Sequence, residues 1–289
     1  MTGEAPPGGG PTVRRILLGS QLRRLREARG ITRDQAGYAI RASESKISRM
    51  ELGRVPFKER DVADLLTLYQ VIDEAERAPL LALANAANVP GWWHRYGDVL
   101  ADWFQPYLGL EEAASIVRTY ELQFVPGLLQ TPSYARAVIS AGNPGISAAQ
   151  IDQRVAMRTA RQKVLARPDP LRLWAVIDEA ALRRPIGGTD IMRGQLQALI
   201  EKVRLDNIIV QVMPFRYGGH AAESGAFSIL RFPEPELPDV VYIEHLTSAI
   251  YLDKRQDVDR YLQTMERLSA QAEPRDQTPA ILTAIREAI

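Results

Sequence analysis

The sequence predicts an α+β protein, an all-α head of five helices followed by an α+β domain built on a run of strands. Two observations predict this. From Leu17 to Asn88 the apolar residues recur at helical spacing, punctuated by capping residues and glycines. Beyond residue 170 come short runs rich in Val, Ile and aromatic residues, most of them consecutive. With 289 residues the chain is long enough for two domains, and its 46% hydrophobic and 25% charged content is ordinary for a globular protein.

The elements follow in order. Residues 1–12, rich in Gly and Pro, form an expected disordered leader. A domain over 13–89 begins with a helix from Leu17 to Arg29, carrying Leu18, Leu22 and Leu25 on one face and stopped by Gly30. Thr32 caps a second helix to Ala39, and Ser43 caps a third, Glu44 to Leu52, ended by Gly53. Val62, Leu65, Leu66 and Tyr69 mark a fourth helix, and Glu74 to Asn88 a fifth. The boundary falls near residue 90, in an aromatic turn, and a second domain spans 90–273. In it, Glu111–Leu122, Pro132–Ala141, Ser147–Ala166, Thr189–Arg204 and Asp257–Gln271 read as helices. Leu171–Ile177, Asn207–Met213, Ala226–Phe232, Val240–His245 and Ala249–Leu252 read as strands. Residues 274–289 form a helical tail.

Composition narrows the function classes. The chain has no cysteine, so disulfides and thiolate metal sites are excluded and a reducing cytoplasm is the expected compartment. Its three histidines, His94, His220 and His245, lack metal-site spacing, and no cofactor or metal is expected. No apolar run approaches the length of a membrane span. Val13 to Gln70 carries 13 Lys/Arg against 7 Asp/Glu, although the whole chain has a net charge of only +1. A basic front on a slightly acidic body suits a head that meets an acidic polymer.

The most informative stretch is Ile31 to Gly53. Two short helices joined by a turn of three to four residues form a helix-turn-helix pattern. Ile40, Ile47 and Met50 supply an apolar seam, which turns Glu44, Ser45, Lys46 and Arg49 outward at the end that enters a major groove. Arg49 suits bidentate bonding to guanine, Glu44 suits the cytosine amino group, and Ser45 is less selective. These three are the expected base contacts in double-stranded DNA. Thr32, Arg33, Ser43, Lys46 and Arg54 are the expected phosphate contacts, adding affinity and salt dependence more than sequence choice.

Residues 17–70 resemble the Xre/phage-repressor helix-turn-helix family through Leu25-Arg-Glu-Ala-Arg-Gly-Ile-Thr, Ser43, Ile47-Ser-Arg-Met-Glu51 and Gly53. Two positions depart from it: Gly37 stands where the family usually has alanine, and Arg41 where the turn usually has glycine. A left-handed Arg41 would cost about 1–2 kcal/mol. Residues 90–270 resemble the domain that follows this head in actinobacterial WhiJ-like regulators. The matching stretches are Gly91-Trp-Trp, Tyr107-Leu-Gly-Leu-Glu, Tyr120 through Arg136, Ile177-Asp-Glu-Ala-Ala-Leu, Arg184-Pro-Ile-Gly-Gly, Val212-Met-Pro-Phe and Gly225-Ala-Phe-Ser-Ile-Leu. That resemblance implies regulation of development or antibiotic production, and a small acidic BldB-like partner protein.

The expected function is therefore sequence-specific transcription regulation by a homodimer, with the second domain receiving a signal. An antitoxin-like protein that sequesters a small acidic partner is the alternative. No enzyme activity is expected: neighbouring carboxylates such as Asp178 and Glu179 point to opposite faces of a strand unless the strand ends there. Trp92, Trp93, Tyr96, Trp103, Tyr120 and His220 are candidates for ligand or partner binding, with burial as the competing reading of the aromatic group.

Overall fold

The computed structural model describes residues 11–222, 225–235 and 237–289. They divide into two compact units. Among the described residues, the first comprises those from Pro11 to His94 with Leu108–Ala113 and Pro233–Leu237, and the second comprises Arg95–Tyr107, Ala114–Phe232 and Pro238–Ile289. Of the expected leader, residues 1–10 lie outside the described residues. Pro11 and Thr12, assigned to it from the sequence, instead open the first helix.

In the first unit, helices α1 (Pro11–Ala28), α2 (Arg33–Ala39), α3 (Glu44–Glu51), α4 (Glu59–Leu68) and α5 (Glu74–Ala87) follow one another through short turns. Their starts are written locally. Thr32 and Gln35 form a reciprocal capping box at α2, the Ser43 hydroxyl accepts from the Lys46 amide at α3, and Asp73 caps α5. Each helix then turns an apolar stripe inward, so that Leu18, Leu22, Ala36, Ile40, Ile47, Met50, Val62, Leu65, Leu66 and Tyr69 share one core. Gly53 ends α3 at φ +64°, and a Cβ there would lie 2.7 Å from the Ile16 backbone nitrogen. Only glycine satisfies both that backbone conformation and that close approach.

The second unit is built on a six-stranded mixed sheet, in the order β3-β2-β1-β4-β5-β6. Its strands are β1 (Ile116–Glu121), β2 (Arg172–Asp178), β3 (Ile208–Met213), β4 (Phe227–Arg231), β5 (Val240–Glu244) and β6 (Ala249–Leu252). β1, β2 and β3 run parallel, with Val117 opposite Leu173 and Leu173 opposite Ile208. β4 pairs antiparallel with β1 on its other side, and β5 and β6 continue antiparallel.

This topology corrects the reading of Glu111–Leu122 as a helix. Helix α6 (Gln105–Ala113) stops at Ala113, and the residues that follow form central strand β1. Glu111-Glu-Ala-Ala has strong helix propensity, but Ile-Val-Arg-Thr-Tyr has β-branched and aromatic side chains that fit between two partner strands. Pairing on both sides outweighs the local preference.

Helices α7 (Pro132–Gly142) and α8 (Ala148–Arg161) lie on the crossover from β1 to β2, and α9 (Glu179–Arg183) and α10 (Thr189–Lys202) on that from β2 to β3. Helix α11 (Arg255–Gln271) packs Val258, Met265 and Leu268 on one sheet face, against Tyr120, Val176, Phe227, Ile229 and Val241. The last helix, α12 (Thr278–Ala288), buries Leu282 and Ile285 and contacts α10 and β3. The apolar residues of α11 and α12 are thus largely spent within their own unit. Strand alternation leaves Thr119 and Glu121 on the sheet face opposite Tyr120.

Candidate nucleic-acid interface

The surface of the first unit is set by what α3 buries. Ile47 and Met50 are 1% exposed, and Ile40 of α2 is 6% exposed, so these three form the seam between the two helices. A helix that buries positions 47 and 50 must present positions 45 and 49 on its other side, while position 44, in the first turn, sits at the edge of the buried face. Glu44, Ser45 and Arg49 are indeed exposed. The Arg49 guanidinium is tethered only lightly, its Nε donating to the Ser45 carbonyl at 3.3 Å. These side chains offer a donor fork, an acceptor and a hydroxyl on adjacent turns of the helix.

The residues expected at phosphates fall into two classes. Thr32 and Ser43 are exposed and use their hydroxyl oxygens as caps, accepting from the amides of Gln35 and Lys46. The Thr32 hydroxyl also donates to Gln35 Oε1 at 3.2 Å, and the Ser43 and Ser45 hydroxyl oxygens lie 3.5 Å apart. Arg54 is also exposed. Arg33 and Lys46, by contrast, are partly neutralised within the unit. Arg33 Nε lies 3.1 Å from Glu51, and Lys46 Nζ lies 2.6 Å from Asp61.

These pairs belong to a frame beneath the surface. Glu51 is 6% exposed, and its carboxylate takes a two-point contact from Arg26 of α1, at 2.5 and 3.1 Å. The hydrogen bond to Glu51 comes first, and outweighs burial, in raising the Arg26 guanidinium above its ordinary value. One carboxylate near the end of α3 therefore ties that helix to both α1 and α2.

The turn itself departs from the usual pattern in a correlated way. Arg41 has φ 53°, the left-handed conformation expected from its place in the motif. Four residues earlier, a Cβ on Gly37 would lie 2.6 Å from the Ala42 carbonyl oxygen. The turn packs tightly against α2 because Gly37 has no side chain, and the Ala42 amide donates to the Gly37 carbonyl at 2.8 Å. Beside it lies a shallow hollow of about 640 Å³, lined by Tyr38, Ala39, Arg41, Ala42 and Ser43. Tyr38, 88% exposed, did not stand out in the sequence. The available signal was its place on α2 between inward Gly37 and Ile40, which leaves an aromatic ring pointing to solvent.

Residues 104–284, well over half the chain, match the family described as Domain of unknown function (DUF5753). The chain belongs to this DUF5753 family. Residues 17–80 match a helix-turn-helix domain, which covers α2, α3 and the turn between them. No curated protein and no solved structure matches the chain. Among the described residues, no helix is long and apolar enough to cross a membrane.

The remaining candidates lie in or near the DUF5753 region, and the structure brings together only part of them. Trp92 and Trp93 belong to the first unit, where Trp93 is 2% exposed and meets Trp92 edge-on at 5.9 Å. Tyr96 and Trp103 belong to the second unit. Tyr96 lies under the Arg95 guanidinium, and the Trp103 carbonyl accepts from the Tyr251 hydroxyl at 2.8 Å.

Tyr120 and His220 do meet. The Tyr120 hydroxyl is 2.8 Å from His220 Nε2, and Asp178 Oδ2 is 3.8 Å from the same nitrogen. Because the Ala222 amide donates to His220 Nδ1, a neutral ring carries its proton on Nε2. Burial first, and the Asp178 carboxylate second, push the Tyr120 phenol far above its ordinary value, so it stays protonated. The group works as a fastening between β1, the end of β2 and the Gly218–Gly219 loop. Glu223, which follows His220 in this Gly-rich stretch of sequence, lies outside the described residues. Strand β2 ends at Asp178, which caps α9 through the Ala180 amide, while Glu179 accepts from the Phe215 amide and pairs with Arg183.

Proposed function

We propose that this DUF5753 protein is a sequence-specific DNA-binding transcription regulator of the Xre type, close to the WhiJ-like regulators. The observation that carries the reading is the division of α3, with Ile47 and Met50 buried, Ser45 and Arg49 exposed on the other side, and Glu44 exposed in its first turn. In this reading α3 enters the major groove, where Arg49 addresses guanine, Glu44 addresses cytosine and Ser45 adapts to either. Thr32, Ser43 and Arg54 meet phosphates directly. Arg33 and Lys46 do so while remaining tied to Glu51 and Asp61, and contribute less than free cations would.

The protein works in the cytoplasm as a homodimer, since one such head reads a half-site and paired heads read a palindrome. Its DUF5753 domain takes no part in catalysis and receives a signal, from a small molecule or a BldB-like acidic protein. Fluorescence anisotropy with the DNA upstream of its own gene, at several salt concentrations, tests this. Wild type should bind that DNA specifically, with affinity falling steeply as salt rises. Arg49→Ala should lose about 1–3 kcal/mol and relax the base preference. Absence of DNA binding even at low salt would remove the reading and leave an interaction protein.

A further inference from the structure

Helix α8 of the DUF5753 domain carries Arg154, Arg158 and Arg161 at i, i+4 and i+7, a spacing that puts them on one helical face. A charged stripe at this spacing ordinarily faces water. Here Arg161 is 7% exposed, with its guanidinium over the rings of Phe104 and Tyr107 at 5.1 and 5.4 Å. The Nε atoms of Arg154 and Arg158 are buried and have no hydrogen-bond partner. The polar partners of the two are neutral amides: Arg154 donates to Asn143, and Arg158 to Gln130, each at 2.9 Å. Asp152, on the same helix, is taken by Arg136. Neither Arg154 nor Arg158 reaches a carboxylate at ion-pair distance among the described residues.

This arrangement is costly as it stands. A guanidinium withdrawn from water needs a counter-charge in contact, and an orphaned buried donor adds its own desolvation cost. Burial first, and then Arg161, pull Arg158 down to about 10, so it remains a cation at neutral pH. The acids that act on it are Glu244 first and then Glu121 on β1, and Glu121 is itself pushed up to about 7 by burial and by Glu244. Glu121 therefore carries only part of a negative charge at neutral pH and, when protonated, can present a proton to an oxygen.

We propose that the α8 arginine row, with Gln130 and Glu121 at its edge, is a binding site for the oxyanion of a small molecule. The planar forks of Arg154 and Arg158 suit a carboxylate or a phosphate equally. Both side chains keep part of their surface in solvent, which gives a small ion a way in. The buried nitrogens are out of reach of a DNA backbone. As a binding site this stands apart from DNA recognition; as an effector site it rests on the regulator reading above.

The test is thermal unfolding of the full chain in sodium chloride, in inorganic phosphate and in benzoate, at matched ionic strength and neutral pH. At least one of the two oxyanions should raise Tm saturably, by about 5 °C over chloride. Arg158→Met should abolish that rise and should itself raise Tm in chloride, because it removes an unpaired buried charge. Arg158→Lys and Arg154→Gln, milder changes, should bind more weakly and keep the fold. Phosphate alone acting would identify a phosphoryl group, and benzoate alone a carboxylate. The proposal fails if neither anion exceeds chloride, if Arg158→Met responds like wild type, or if Arg158→Met lowers Tm in chloride. Repeating the anisotropy titration with the active anion separates the two readings. Loss of its effect on DNA with binding retained removes only the effector role, whereas lack of DNA binding with the Tm rise intact removes only the regulator reading.

Discussion

In the helix-turn-helix unit, Glu51 meets Arg26 and Arg33, and Asp61 meets Lys46, so these buried acids have bases in contact. In the DUF5753 domain, Arg154 and Arg158 meet amides, and Glu121 is held largely protonated below pH 7. Both regions take charge away from water, but Arg154 and Arg158, unlike the frame of the first unit, meet amides and not carboxylates. A rigid reading head gains from an internal frame that holds α3 at a fixed angle to α1 and α2. Under the proposed reading, the DUF5753 domain gains from charge left unmatched, because the missing counter-charge is what a ligand can supply.

The largest effect is expected at Glu51. Glu51→Gln leaves Arg26 buried without its carboxylate, and should cost about 3–5 kcal/mol in urea unfolding. A loss under about 1 kcal/mol would mean that the frame is not what holds α3.

Glu121 gives the opposite sign. Its folded pKa is raised from 4.5 to about 7, so the neutral form is favoured in the folded state. The resulting penalty is absent below about pH 4.5, grows as pH rises through that window, and is complete above about 7. Glu121→Gln should therefore stabilise the protein by about 3 kcal/mol at pH 8 and leave it unchanged at pH 4. Equal effects at both pH values would show that the carboxyl is ionised throughout. The gain should shrink when an oxyanion occupies the arginine row, since Glu121 then has an acceptor for its proton.

The smallest effects are expected in the turn. Arg41→Gly relieves a left-handed residue but loosens the unfolded chain, for a net gain under about 1 kcal/mol. Gly37→Ala should move stability the other way by about 1–3 kcal/mol, because the new Cβ meets the Ala42 carbonyl. If both substitutions were neutral, the tight turn seen here would not be the one that matters in solution. Far-UV circular dichroism melts of the two variants and the double variant decide it.

Much of the first unit is legible residue by residue because its signals are local. Thr32, Ser43 and Asp73 announce helix starts, Gly30 and Gly53 announce ends, and Ile47 and Met50 orient α3 without reference to anything distant. The left-handed Arg41 could be inferred from its place in the motif. What could not be inferred is that Arg33 and Lys46 are engaged by Glu51 and Asp61, which are 18 and 15 residues away. In the DUF5753 domain the β-branched runs announced most strands, yet β1 was hidden behind the helix-forming Glu111-Glu-Ala-Ala.

The sequence by itself determined where most helices and strands lie, which side of α3 is apolar, and that the front of the chain is basic. Those properties follow from side-chain shape, capping and periodicity within a few residues. The tertiary structure alone decided the strand order, the placement of β1 between a parallel and an antiparallel neighbour, and the inward turn of the α8 arginines. Each of these depends on pairings between residues far apart in the chain, where the free energy of burial outweighs the local preference to form a helix or to face water.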